Sequence, residues 1–128
     1  MNTKTTIQYP ICWFDDNDVM WVDFGTLQNI TATHMVCIHR WHVEHDYRPK
    51  AVVNIITSGR TITLEALKMV EKPPFSEVIT CSAVVVESSL IRLFSRIYLP
   101  LFQSVYPVKL FATQEEAVAW CLKTRTVC

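Results

Sequence analysis

The chain has 128 residues, half of them apolar and fewer than a fifth charged, which excludes a disordered chain and suits one domain around one hydrophobic core. Lys plus Arg equals Asp plus Glu at 12 each, so the basic excess of a general nucleic-acid binder is missing and no nucleic-acid partner is expected. No apolar signal core follows the polar start and no apolar run approaches the roughly 18 residues of a membrane-spanning helix, so a cytoplasmic location is expected, with any membrane contact peripheral.

In chain order, Ile7 to Phe14 reads as a strand, Asp15-Asp16-Asn17-Asp18 as a turn, and Val19 to Phe24 as the second strand of a hairpin ended by Gly25. A helix fits Thr31 to Glu44, with Asn29 or Thr31 as its cap. Ala51 to Thr57 is an almost unbroken β-branched run, which suits a central strand covered on both faces. Thr63 caps a short helix, Leu64 to Lys72, that Pro73-Pro74 stops. Ile79 to Glu87 is another buried-type strand, and Ser88-Ser89 opens a long helix to Gln103. Val108 to Phe111 is a short strand. Thr113-Gln114-Glu115-Glu116 is a capping box opening a last helix to Lys123, with Ala117 and Trp120 on its inner face. The order β-β-α-β-α-β-α-β-α predicts a single α/β domain over residues 1–128, with a mixed central sheet and helices packed on it.

The five cysteines, Cys12, Cys37, Cys81, Cys121 and Cys128, are odd in number and widely spaced, with no C-x-x-C pair. Reduced thiols are the simpler expectation than a disulfide framework or a zinc ribbon. The two glycines, Gly25 and Gly59, cannot form a phosphate loop or a dinucleotide fingerprint, and no G-x-S-x-G elbow exists. No enzyme and no cofactor is expected.

Pro107-Val108-Lys109-Leu110-Phe111 followed by Glu115-Glu116-Ala117-Val118-Ala119-Trp120 is similar to the closing P-V-x-x-F strand and E-E-A-x-x-W helix of the SpoIIAA-like branch of the STAS superfamily. Val84-Val85-Val86-Glu87-Ser88 before a Leu-, Ile- and Arg-rich helix is similar to its strand-to-long-helix passage. The resemblance implies either an anti-anti-sigma-type switch with a kinase-like protein partner, or a lipophilic-ligand carrier related to Sec14 (CRAL-TRIO) domains. The family's phosphorylated hydroxyl falls near Thr63, but Ile62 and Leu64-Glu65 replace the residues of its D-S-S-G-type motif.

The long helix carries the functional expectation. Arg92, Arg96 and Gln103 fall in one narrow stripe, while Leu90, Ile91, Leu93, Phe94, Ile97, Tyr98, Leu101 and Phe102 spread over an apolar face of roughly 200°, twice what a helix resting on a core needs. A small lipophilic ligand, a membrane surface or a second copy of the chain would cover the excess, unless neighbouring elements do. Arg92 and Arg96 would meet lipid phosphates, and Pro100 would act as a hinge. All four histidines lie in one stretch. His39 and His42 share a helix face with Met35 and Ile38, as candidate pocket-lining residues rather than metal ligands. The expected function is a non-enzymatic module binding a small nonpolar or lipid ligand, with reversible membrane association through residues 90–102. The alternatives are a Thr63-regulated interaction switch and a homodimerising module.

Overall fold

A computed structural model describes residues 9–56, 61–87 and 106–125. Seven strands lie in these segments: β1 (Ile11–Phe14), β2 (Met20–Asp23), β3 (Asn29–Ile30), β4 (Lys50–Ile55), β5 (Thr61–Ile62), β6 (Ile79–Val85) and β7 (Val108–Phe111). Three α-helices accompany them: α1 (Ala32–His45), α2 (Leu64–Met69) and α3 (Gln114–Thr124), with a 3-10 turn at Phe75–Glu77. The expected long helix, with Leu90 to Phe102 and its hinge Pro100, lies outside the described residues.

Five strands form one mixed sheet in the order β1-β2-β4-β6-β7. β1 and β2 are antiparallel, and every later neighbour is parallel. The hairpin turn is locked by Asp15, whose Oδ1 accepts from the Asn17 and Val19 amides and whose Oδ2 accepts from Trp21 Nε1 at 2.8 Å. The carboxylate thus replaces the backbone partners that a tight turn lacks. Asp18 and Gly25 both take positive φ, at 65° and 52°. At Gly25 a Cβ would also meet the Tyr9 ring, so glycine is required where β2 ends.

Period-2 alternation splits the sheet residues cleanly between two cores. On one face Trp21, Ala51, Val53, Cys81, Ala83 and Val85 pack under Ala117 and Cys121 of α3. Trp120 adds to this core beside Phe111, at a ring distance of 5.7 Å. Of the box predicted at Thr113, the cap itself forms: the Thr113 hydroxyl accepts from the Glu116 amide at 3.2 Å and donates to the Glu116 carboxylate at 3.1 Å. At the other end of α3 the Arg125 guanidinium donates to the Asn17 carbonyl, tying the helix to the hairpin turn.

On the opposite face Met20, Val22, Val52, Ile56 and Val86 meet α1 through Met35, Ile38 and Trp41. The sequence reading missed one feature that organises this face. β3 and β5 form a separate parallel ladder, Asn29 opposite Thr61 and Ile30 opposite Ile62. Each strand runs directly into a helix cap, Thr31 for α1 and Thr63 for α2. The ladder therefore starts both helices side by side. α2 ends at Met69, three residues short of expectation, because the chain turns with Val70 before Pro73-Pro74.

The candidate site: an apolar cavity between the sheet and two helices

The second core is incompletely filled. A cavity of about 120 Å³ lies between the sheet and the pair α1–α2. Its floor comes from alternate residues of four neighbouring strands: Met20 and Val22, Val52 and Asn54, Ser82 and Val84, Val108 and Leu110. Its roof comes from Met35, Ile38, His39 and His42 of α1, then Ala66 and Leu67 of α2. Ile30 and Ile62 of the small ladder close one side, and Phe75 lines another part of the wall. The α1 positions recur at i, i+3, i+4 and i+7, so one helical face supplies all four. No Lys, Arg, Asp or Glu occurs among the described lining residues.

Five described side chains bring polarity to this wall, all of them neutral at pH 7, and one of them, Tyr106, donates its hydroxyl to the Val70 carbonyl at 3.0 Å. Asn54 Nδ2 donates to Ser82 Oγ at 2.9 Å and more weakly to the Ala83 carbonyl at 3.3 Å. The two residues sit on adjacent strands, in the middle of an otherwise apolar floor. The Ser82 hydroxyl proton and Asn54 Oδ1 have no further partner among the described residues. His42 is buried, and its Nε2 donates to the Arg48 carbonyl at 3.0 Å. Burial lowers its pKa, and the nearby His39 and Lys50 lower it further against the opposing pull of the Arg48 carbonyl and Asp46. His39 packs against Phe75 at a ring distance of 4.7 Å, and burial lowers its pKa as well. Its Nδ1 is shielded from solvent yet has no hydrogen-bond partner among the described residues. Such an atom costs about 1–3 kcal/mol in a folded chain.

The other two histidines do local structural work. His34 Nδ1 accepts from the Thr31 amide at 3.0 Å, filling the place that Glu or Gln usually takes in a capping box. That bond puts the His34 proton on Nε2. His45 Nδ1 lies 2.8 Å from the Trp41 carbonyl at the exposed end of α1. Among the described residues no group of three or more His, Cys, Asp and Glu is placed to hold a metal ion. Thr63 stands outside the cavity lining, and its hydroxyl accepts from the Ala66 amide at 3.1 Å as the cap of α2. Cys12 is half-buried near Cys37, and burial pushes its thiol up to about 12, with the Cys37 charge adding to the rise. Leu90, Ile91, Arg92, Leu93, Phe94, Arg96, Ile97, Tyr98, Leu101 and Phe102 all fall outside the described residues.

A charged cluster marks the edge of this region. Lys50 begins β4 with its side chain almost wholly buried, and its Nζ reaches Asp18 Oδ1 at 2.5 Å and Asp46 Oδ2 at 2.8 Å. It also lies 5.0 Å from the centre of the Phe14 ring. Arg48 holds Asp46 from the outer side at 2.6 Å. Two hydrogen-bonded cations keep the Asp46 carboxyl well below the usual carboxylate range, Arg48 contributing most and Lys50 next. Lys50 thereby ties the hairpin turn, the end of α1 and the central strand together. Just beyond it, Lys50 pairs with Ile79 while Ala51 pairs with Cys81, so Thr80 is the extra residue of a bulge.

A family model described as a domain of unknown function (DUF7793) matches residues 12–125. The chain belongs to that family. The match runs from β1 to the end of α3, so it takes in every described strand of the main sheet and the whole described cavity wall. No curated protein matches the chain. Among the described residues, no helix is long and apolar enough to cross a membrane.

Proposed function

We propose that this DUF7793 domain is a non-enzymatic binding module that holds a small, uncharged, mainly apolar molecule between its sheet and α1–α2. The cavity is the observation that carries the proposal. It is apolar, built from regular elements, and furnished with a few neutral polar groups, the usual make-up of a small-molecule site. Its size sets the scale of the occupant. An engineered cavity of about 150 Å³ takes a benzene ring. At about 120 Å³ the space suits one ring or a short branched chain rather than the two acyl chains of a phospholipid.

The SpoIIAA-like resemblance fits this role. Strands that follow chain order across a sheet with a parallel centre agree with the element order that suggested that family. The membrane contact expected from residues 90–102 belongs to the same proposal. The wide apolar face expected there from the sequence, with Arg92 and Arg96 at its edge, supports reversible association with an anionic surface.

Native mass spectrometry of the full chain, with and without added benzene, tests the ligand role. A bound neutral small molecule, or stoichiometric benzene uptake, is expected. A protein that carries nothing and takes up no benzene contradicts the proposal. Co-sedimentation with vesicles of phosphatidylcholine and phosphatidylserine tests the membrane arm separately, with binding lost on Arg92→Glu plus Arg96→Glu as the expected result.

A further inference from the structure

The core under α3 holds two cysteines from different elements. Cys81 lies near the start of β6 and Cys121 near the end of α3. Both are fully buried in the same cluster. The sheet register fixes their nearness. Cys81 stands opposite Ala51 and Ser82 opposite Val52, while Cys121 Sγ lies 3.7 Å from the Val52 carbonyl oxygen. Adjacent strands are about 4.8 Å apart, so the Cys121 sulfur sits over the β4–β6 seam beside Cys81. The two thiols are in hydrogen-bonding contact. The contact polarises them. The Cys121 thiol holds Cys81 below the ordinary cysteine value, against the opposing effect of burial, and the Arg125 charge lowers it further. Cys81 in turn holds the Cys121 thiol well up, with burial adding to the rise. Burial alone would raise both and leave both inert. Cys12 and Cys37 belong to β1 and α1, and Cys12 packs on the other face of the sheet.

We propose that Cys81 and Cys121 form a redox-active dithiol, a modification site at which a peroxide closes a disulfide that staples α3 to β6. The Cys81 sulfur attacks one peroxide oxygen. The O–O bond breaks, the departing hydroxide takes the Cys81 proton and leaves as water, and Cys81 becomes a sulfenic acid. The Cys121 sulfur then attacks the Cys81 sulfur. The S–O bond breaks, a second water leaves with the Cys121 proton, and the S–S bond forms. The two thiols together lose two electrons, and the peroxide gains them. Both sulfurs are shielded in the closed fold, so the reagent reaches them when α3 lifts from the sheet, and the disulfide then blocks that opening.

The test adds hydrogen peroxide to the folded full chain carrying Cys12→Ser, Cys37→Ser and Cys128→Ser, which leaves Cys81 and Cys121 as its cysteines. The intact mass should fall by two hydrogens, and dithiothreitol should restore it. The melting midpoint of the oxidised form should rise by roughly 5–15 °C. With Cys121→Ser added, which keeps a hydroxyl beside Cys81 but no second sulfur, Cys81 should stop at the sulfenic acid and be trapped by dimedone. Oxygen addition without loss of two hydrogens overturns the proposal, as does no reaction at a peroxide level that oxidises Cys37 in the wild-type chain. A dimedone adduct on Cys121 in Cys81→Ser, with none on Cys81 in Cys121→Ser, overturns the order of attack. A disulfide that leaves the melting midpoint unchanged or lower overturns the stapling role. If the triple variant does not fold, alkylation of free thiols and peptide mapping of the peroxide-treated wild-type chain decide the matter: a Cys81–Cys121 linked peptide is expected, and both thiols recovered alkylated overturns the pair.

Discussion

At the scale of single residues, the cavity makes two kinds of prediction. Met20 is almost fully buried and lines the cavity floor, so Met20→Ala enlarges an existing void. Urea unfolding should show a loss of about 2–5 kcal/mol, part of it recovered by saturating benzene. A loss with no recovery would mean that the space collapses or floods. His42 and His39 make the second prediction. Their imidazoles are held below the ordinary histidine value, chiefly by burial. The unfolded chain therefore takes up these protons first, from about pH 6.5 downward, while both states are neutral above it. Stability should be level above that pH and decline below it. His42 is faced by Phe14, His39, Lys50, Asp46 and the Arg48 carbonyl, and of these Asp46 and the carbonyl favour its protonated form. His42→Leu should flatten the decline in melting temperature between pH 6.5 and 5, and an unchanged slope would count against burial as its cause.

At the scale of elements, the caps and the Lys50 cluster carry the testable content. Thr113→Ala removes the acceptor for the Glu116 amide and should lower stability by about 1 kcal/mol in thermal or urea unfolding. Lys50 has a different signature. Asp46→Asn leaves a buried ammonium short of one anion, whereas Lys50→Met removes the charge and keeps the stem. Asp46→Asn should be the more destabilising of the two by urea midpoint, because a buried ammonium that has lost one of its two anions is worse than an apolar replacement. The Asp46 carboxyl is held low, so its contribution is complete above about pH 4 and is lost as pH falls further. Asp46→Asn should remove part of the wild-type acid sensitivity below that pH.

Elements with a long signal were the legible ones. Val108–Phe111 and the Thr113 cap carry alternation and a capping box, and the structure places both where the residues indicate. The β3–β5 ladder was not legible. Two residues per strand show no period, and their pairing spans thirty-two positions of sequence. Met35, Ile38, His39 and His42 share a face by spacing alone, and all four line the cavity. Asn54 and Ser82 gave no such warning, since each reads as one polar interruption in a β-branched strand. Only the register of β4 on β6 makes them a pair.

At the scale of the whole molecule, one sheet serves two different cores. The α3 face is closed by Ala117 and Cys121, small residues that let the helix approach the strands directly. The α1–α2 face keeps a void, although Met, Ile and Val line it. Well-packed cores carry few spaces of this size, so retention beneath two helices sharing one starting ladder is the central physical fact about this protein. The most direct test is a crystal structure of the full chain determined under xenon pressure. Xenon density between Met20, Val52, Ile38 and Ala66 is the result predicted by an accessible apolar binding cavity. Side chains packed into that space, with no xenon on the α1–α2 face, would contradict it.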